Sequence, residues 1–295
     1  MKSGFVSIVG RPNVGKSTLL NSLLERKIAI TSNVSGTTRN IIQGVYNDDD
    51  SQIVFIDTPG IHKPVNKLGS IMNNGAYHVT NEVDIILFLV DVTKPFGKGD
   101  TFVLDKIKDL NKPIFLILNK VDLVNKQNLF KIIDDYSKIY DFNEIVPLSS
   151  LTGDNVLDLI KTVKKYLPRD GILYSEEMIT NISRDFYIAE VVREKLLRLT
   201  KDEVPHTITC VVESFEDFEK YVEIQVLIIV DRENLKKIII GKNGDMLKKV
   251  GTYARSDIEE FLSRKVNLKT YVKVIEGWRE KEKYLRELGF YELKS

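Results

Sequence analysis

Eight residues near the start, Gly10-Arg11-Pro12-Asn13-Val14-Gly15-Lys16-Ser17, stand between the apolar run Phe5–Val9 and a helical pattern that opens at Lys16. No other feature constrains the fold as much. The pattern G-x-x-x-x-G-K-[ST] does its chemistry only where a strand ends and a helix begins, with backbone N–H groups turned inward at the helix N-terminus. Glycines permit the turn, the Lys16 ammonium suits a phosphate chain, and the Ser17 hydroxyl suits Mg²⁺. On average composition such a match arises in about one chain in a hundred of this length, so a phosphate site is expected here.

The surrounding pattern agrees. From residue 1 to about 168, short apolar runs (Phe5–Val9, Ile53–Ile56, Ile85–Val90, Ile114–Leu118, Ile145–Leu148) alternate with helical stretches, as a mostly parallel sheet covered on both faces requires. Each run ends in polar or glycine-bearing residues, at the edge where open α/β sheets collect ligands. A chain of 295 residues that is 43% hydrophobic is comfortable as two domains. Leu167-Pro168-Arg169-Asp170-Gly171 reads as a helix stop, which puts an α/β domain at 1–170, a linker at 171–185 and a smaller α+β domain at 186–295. The second domain reads as helix 186–199, strands 207–215 and 220–231, helix, glycine loop, helix 245–262, strand 268–274 and a last helix near 280–288.

A phosphate loop does not choose its base; Asn119-Lys120-Val121-Asp122 does. Guanine presents N1–H and N2 amino donors side by side, one Asp122 carboxylate can accept from both, and adenine lacks the pair. Asn119 is expected to tie this loop to the phosphate loop, and the Lys120 stem to pack along the base. Asp57-Thr58-Pro59-Gly60 follows a strand and offers Asp57 to the water shell of Mg²⁺ and the Gly60 N–H to a γ-phosphate. Between these motifs, Ser35-Gly36-Thr37-Thr38-Arg39 can bring a threonine hydroxyl to the metal, Thr38 in preference to Thr37. Lys16, Thr38 and Gly60 form the expected catalytic set, and Ser17, Thr38 and Asp57 the expected metal set. Ser149-Ser150 opens a loop whose backbone N–H, that of Ser150, is expected to donate to guanine O6.

In the second domain, Gly241-Lys242-Asn243-Gly244 precedes an apolar-spaced helix. Such a loop lets backbone approach a nucleic-acid strand, with a basic residue for phosphate. A bare G-x-x-G is also an ordinary turn between helices. Charge adds to the first reading: residues 171–231 hold 6 Lys and Arg against 13 Asp and Glu, whereas 232–273 hold 11 against 5. Lys242, Lys248 and Lys249, with Arg232, Lys236, Lys237 and Arg255, are the candidate phosphate contacts. The net charge of +1 for the whole chain leaves any such site local.

The motifs taken in order resemble the full set of the translation-factor-like P-loop GTPases. Gly10-Arg-Pro-Asn-Val-Gly-Lys-Ser, Gly36-Thr-Thr-Arg and Asp57-Thr-Pro-Gly are similar to those of the Era-like branch, and the second domain resembles a type II KH domain followed by the C-terminal helix region of that family. The resemblance implies GTP and GDP as ligands, hydrolysis of GTP, Mg²⁺, and K⁺ held with the help of Asn13. It further implies a monomer that binds 16S ribosomal RNA near its 3′ end in assembly of the 30S subunit, with no DNA partner and peripheral contact at the inner membrane face. Ile61 stands where Ras-like GTPases carry a water-orienting glutamine, a hydrophobic substitution that the resemblance implies is typical of this branch. The start, Met1-Lys2-Ser3-Gly4, lacks the order of a signal peptide, and no apolar run approaches the roughly 20 residues of a membrane span, so a cytoplasmic protein is expected. The lone Cys210 reads as a buried strand thiol, and Trp278 as a packed side chain in preference to a base-stacking one.

Overall fold

The computed structural model describes residues 1–201 and 204–290. Residues 291–295, the end of the expected second domain, lie outside the described residues. The chain divides into two compact units. The first holds Met1–Ala29, Thr38–Val65 and Gly69–Asn181; the second holds Ile182 onward together with Ile30–Thr37 and Asn66–Leu68.

The first unit runs β1 (Lys2–Val9), α1 (Lys16–Leu23), β2 (Ile42–Asn47), β3 (Ser51–Asp57), α2 (Lys67–Glu82), β4 (Ile85–Asp91), α3 (Lys98–Ile107), β5 (Ile114–Asn119), α4 (Lys126–Ser137), β6 (Glu144–Leu148), α5 (Val156–Lys164) and the short β7 (Arg169–Asp170). The sheet order is β2-β3-β1-β4-β5-β6, with β7 beside β1. Strands β3, β1, β4, β5 and β6 are parallel, and every residue of β3 and β4 is buried, which is why both read as continuous apolar runs. Phe88, Val90, Leu116 and Leu118 pack with Val103, Leu104 and Tyr136 on one face. Leu19, Leu20, Leu159 and Val163 are buried on α1 and α5, which lie together. The sequence reading passed over β2, which pairs antiparallel with β3 from Ile42↔Asp57 to Asn47↔Gln52. Its Gln-Gly-Val-Tyr core lacks a long apolar run because it is an edge strand.

The stretch expected as a linker is held along that edge. Gln52 Oε1 accepts the N–H groups of Leu173 and Tyr174 at 2.6 and 2.9 Å, and Val45 N–H donates to Ile179 O at 2.8 Å.

The second unit runs α6 (Arg184–Leu199), α7 (Val204–Thr207), β8 (Thr209–Asp217), β9 (Val222–Val230), α8 (Glu233–Ile240), α9 (Asp245–Leu262), β10 (Val266–Val274) and α10 (Glu282–Glu287). Ser183 starts α6 by accepting the Phe186 N–H at 3.1 Å. The sheet order is β10-β9-β8, with β10 parallel and β8 antiparallel to β9. Ile188, Val191, Val192, Ile224, Val226, Ile228, Val250, Ala254 and Ile258 form its core, which Ile30 and Val34 also join. Trp278 is fully buried and donates Nε1–H to Thr207 O at 2.9 Å, the packed role expected of it. Cys210 is buried on β8, the packed place expected of it.

Candidate nucleotide site and nucleic-acid groove

The phosphate loop leaves β1 at its carboxyl end and enters α1, as its chemistry requires. Gly15 sits at φ 104°, and a Cβ there would run into the Asn119 carboxamide, so only glycine fits. Lys16 Nζ is buried and donates to Gly10 O at 3.3 Å and Arg11 O at 3.0 Å. Burial pulls its pKa down to about 8 against the opposing pull of Asp57. A buried ammonium bonded to carbonyls is a cation prepared for an anion.

Three oxygens converge beside it. Ser17 Oγ lies 2.6 Å from Thr38 Oγ1 and donates to Asp57 Oδ2 at 2.6 Å, while Thr38 Oγ1 is 3.3 Å from the same carboxylate oxygen. Asp57 is fully buried, its pKa is pushed up to about 6 by burial against the pull of Lys16, and its Oδ1 has no hydrogen-bond partner among the described residues. Two hydroxyls and a buried, under-satisfied carboxylate are a hard-oxygen set that fits Mg²⁺. Thr37, the alternative, is occupied elsewhere: its hydroxyl donates to Val34 O at 2.6 Å. Thr58 Oγ1 donates to Ile8 O at 2.9 Å and so braces the ends of β1 and β3, with Pro59 and Gly60 buried next to it. Ile61 is buried in the apolar core, pointing its side chain away from water.

The base-reading loops meet at Asn119. Its Nδ2 donates to Val14 O at 2.7 Å, which ties it to the phosphate loop as expected. Its Oδ1 accepts both the N–H and the Oγ–H of Ser150, each at 2.9 Å. That corrects the expectation for Ser150: its N–H is already spent inside the protein and is not free for guanine O6. Ser149 is buried and holds the turn by accepting the Thr152 N–H at 3.2 Å. Val121 and Asp122 lie in one turn of 3₁₀-helix after Lys120, which is left-handed at φ 70°, and the Asp122 side chain is exposed. Asn13, also left-handed at φ 66°, is exposed on the phosphate loop, while Pro12 is half-buried.

In the second unit, α8 ends at Gly241, φ 74°, where a Cβ would meet the Met246 backbone N at 2.9 Å. Lys242, Asn243 and Gly244 then make one 3₁₀ turn into α9. A groove of about 390 Å³ opens there, lined among others by Gly244, Lys248, Gly251, Arg255, Leu268 and Thr270. Lys248, Gly251 and Arg255 share a helix face; Lys249 points to the adjacent one and does not line the groove.

Comparison with known proteins decides the family. Residues 5–120 match the family described as 50S ribosome-binding GTPase, and residues 203–279 match the KH domain family. A crystal structure of an Aquifex aeolicus Era variant bound to GDP·AlF4⁻ is 43% identical, with a TM-score of 0.95 over 98% of this chain and 99% of that one. A structure of Era with MgGDPNP and nucleotides 1506–1542 of 16S ribosomal RNA is likewise 43% identical, with a TM-score of 0.96 over the same shares. The chain belongs to the Era family.

Within this Era-family site, two acidic residues escaped the sequence reading. Asp91, at the carboxyl end of β4, accepts from Lys120 Nζ at 2.6 Å. Burial alone would raise its pKa, but hydrogen bonds from Lys120 and Thr93 outweigh that and leave it lowered. Asp100, fully buried in the first turn of α3, pairs with Arg11 Nε at 2.8 Å, and burial raises its pKa against the pull of the Gly97 N–H and Arg11. The usable signal was position: Asp91 closes β4 and Asp100 follows it, on the ligand edge of the sheet. In the Era-family second unit, Leu268 and Thr270 were missed because it is the packing of β10 against α9 that brings them to the groove.

Proposed function

We propose that this Era-family protein binds GTP and GDP, hydrolyses GTP to GDP and phosphate, and couples that cycle to binding of 16S ribosomal RNA near its 3′ end during assembly of the 30S subunit. The observation that carries the reading is the Asn119 carboxamide, which joins the phosphate loop to the two base-reading loops through Val14 and Ser150. Gly10 to Ser17 cradle the phosphates, with Lys16 neutralising them. Ser17, Thr38 and Asp57 would hold Mg²⁺, Asp57 through water, and the bound metal would supply charge stabilisation to the transferring phosphoryl group. Gly60 meets the γ-phosphate. Asp122 reads the guanine edge, and the N–H of Leu151, next along from Ser150, takes O6. Gly241, Lys242, Asn243, Gly244 and Lys248 grip the RNA, joined by Arg255. K⁺ at Asn13, a monomeric state, a cytoplasmic location and peripheral contact with the inner membrane face complete the proposal. Among the described residues no helix is long and apolar enough to cross a membrane.

Phosphate release in potassium buffer and filter binding of a 3′-end 16S fragment test both halves. Turnover lost in Lys16→Ala, with RNA binding lost in Lys242→Asp/Asn243→Asp, is the expected result. Turnover that survives Lys16→Ala, or equal weak RNA binding by both proteins, would overturn the corresponding half.

A further inference from the structure

Asp100 is a buried carboxylate that the nucleotide chemistry above does not use, and it belongs wholly to the first unit. Its two oxygens have different partners. Oδ2 accepts the Gly97 N–H at 3.1 Å while the Asp100 N–H donates to Gly97 O at 2.9 Å, which closes the first turn of α3. Capping alone does not call for a charge with no exposure to water. Oδ1 meets Arg11 Nε at 2.8 Å, an ion pair that joins α3 to the phosphate loop. The Arg11 stem reaches it across the backbone of Gly99, where a Cβ would stand 2.5 Å from Arg11 Cδ and 3.2 Å from Cγ. The main chain of the same arginine borders the phosphate site. Arg11 O accepts from Lys16 Nζ at 3.0 Å, a Cβ on Gly60 would come within 2.9 Å of the Pro12 nitrogen, and the Ile61 N–H donates to Gly10 O at 3.3 Å.

We propose that Asp100 is a positioning residue for GTP hydrolysis: by holding Arg11 it fixes the Gly10–Pro12 end of the phosphate loop, against which Lys16 and Gly60 meet the γ-phosphate. The proposal rests on the GTPase reading above. The loop is tied at two ends, at Val14 by the Asn119 carboxamide and at Arg11 by the Asp100 carboxylate. The Val14 end leads to the base-reading loops, and the Arg11 end lies beside Gly60. A buried ion pair adds little stability over a neutral pair of the same shape; what it supplies here is a fixed place for Arg11. A wall already fixed need not be ordered as the phosphoryl group transfers, so the saving falls on the transition state. GDP has no γ-phosphate, and its binding draws on Gly15, Lys16, Ser17 and Asn119 in place of the Arg11 end.

Four variants test this. Asp100→Asn and Arg11→Met each break the pair, and the double variant Arg11→Met/Asp100→Asn leaves no buried charge unpaired while its asparagine keeps an oxygen for the Gly97 N–H. Gly99→Ala leaves both charges in place and displaces only the Arg11 stem. Each is compared with wild type for thermal melting, GDP affinity, kcat and KM for GTP, and affinity for GDP with aluminium fluoride, which fills the γ position. We expect kcat to fall by about tenfold to a hundredfold in both single variants and no further in the double one. Affinity for GDP with aluminium fluoride should fall in parallel, while GDP affinity and KM stay within about twofold of wild type. Gly99→Ala should lower kcat with its melting temperature unchanged. Wild-type kcat in any of these proteins when folded would overturn the assignment, as would a loss of GDP affinity parallel to that of kcat. A double variant whose loss is the product of the two single losses would also overturn it, because Arg11 and Asp100 would then act apart. Where a single variant melts too early to assay, the double variant and Gly99→Ala decide by the same criteria. A wild type without turnover, or turnover indifferent to Lys16→Ala, would instead remove the GTPase reading and this proposal with it.

Discussion

The carboxamide oxygen of Asn119 accepts two hydrogen bonds from one residue, the N–H and the hydroxyl of Ser150, while its amide nitrogen reaches back to Val14. Three loops from the ends of three strands are therefore tied through a single buried side chain. Replacing Asn119 with alanine removes three buried hydrogen bonds and strands a carbonyl and an amide. Urea unfolding should show a loss of about 2–4 kcal/mol, and titration with a fluorescent GDP should show affinity weakened at least about tenfold. Unchanged GDP affinity in a folded Asn119→Ala protein would mean the tie has no part in binding.

Asp57 and Lys16 give the nucleotide-free protein a particular pH signature. The folded pKa of Asp57 lies near 6, above the ordinary carboxylate value of 3.8, so between those values the folded state holds the proton more firmly. Its contribution to stability is present below the unfolded pKa and disappears as pH rises through about 6. Asp57→Asn should therefore stabilise the nucleotide-free protein relative to wild type at pH 7, by on the order of 2 kcal/mol, with little gain at pH 4. Thermal melts of the two proteins across that range check it. The same variant should lose the Mg²⁺ dependence of triphosphate binding.

Lys16 titrates in the opposite sense. Its folded pKa near 8 lies below the ordinary 10.5, so the cost of the buried ammonium is fully present below pH 8 and fades as pH rises toward 10.5. Inorganic phosphate or GDP should relieve that cost. Lys16→Met should then raise the melting temperature without ligand at pH 7 while abolishing the rise that GDP gives wild type. A variant less stable than wild type without ligand would contradict the account.

The groove separates two lysines that are neighbours in sequence. Lys248 and Arg255 line it; Lys249 does not. Filter binding of the 16S fragment across a KCl series should show Lys248→Ala and Arg255→Ala each weakening affinity and lowering the salt slope by about 1. Lys249→Ala should change both far less. Equal effects at all three positions would point to diffuse attraction in place of a defined groove.

Gly241 holds φ 74° with the Met246 backbone against its missing side chain. Gly241→Ala should destabilise the second unit by about 1–3 kcal/mol and weaken RNA binding, while the GDP affinity of the first unit stays at the wild-type value. Paired urea and GDP titrations would reveal a contrary result as lost nucleotide affinity.

Much of this protein is readable in its sequence wherever the physics is local. The turn from Gly10 to Ser17 works through glycine conformations and adjacent N–H groups, so eight consecutive residues specify it. Parallel strands buried on both faces, such as Ile85–Asp91, write themselves as unbroken apolar runs. Helix α9 begins and ends where its spacing says, at Asp245 and Leu262. Tertiary structure decided what depends on partners distant in the chain. The edge strand β2 exists by pairing with β3, the Ser150 N–H is claimed by a carboxamide 31 residues earlier, and Leu268 and Thr270 reach the groove through the packing of β10 on α9. The loop ahead of Thr38 is held by Arg193, 156 residues after Thr37. A hydrogen bond across such a span leaves no period or motif in either segment, because its geometry is set by the packing of α6 and not by the residues around Thr37.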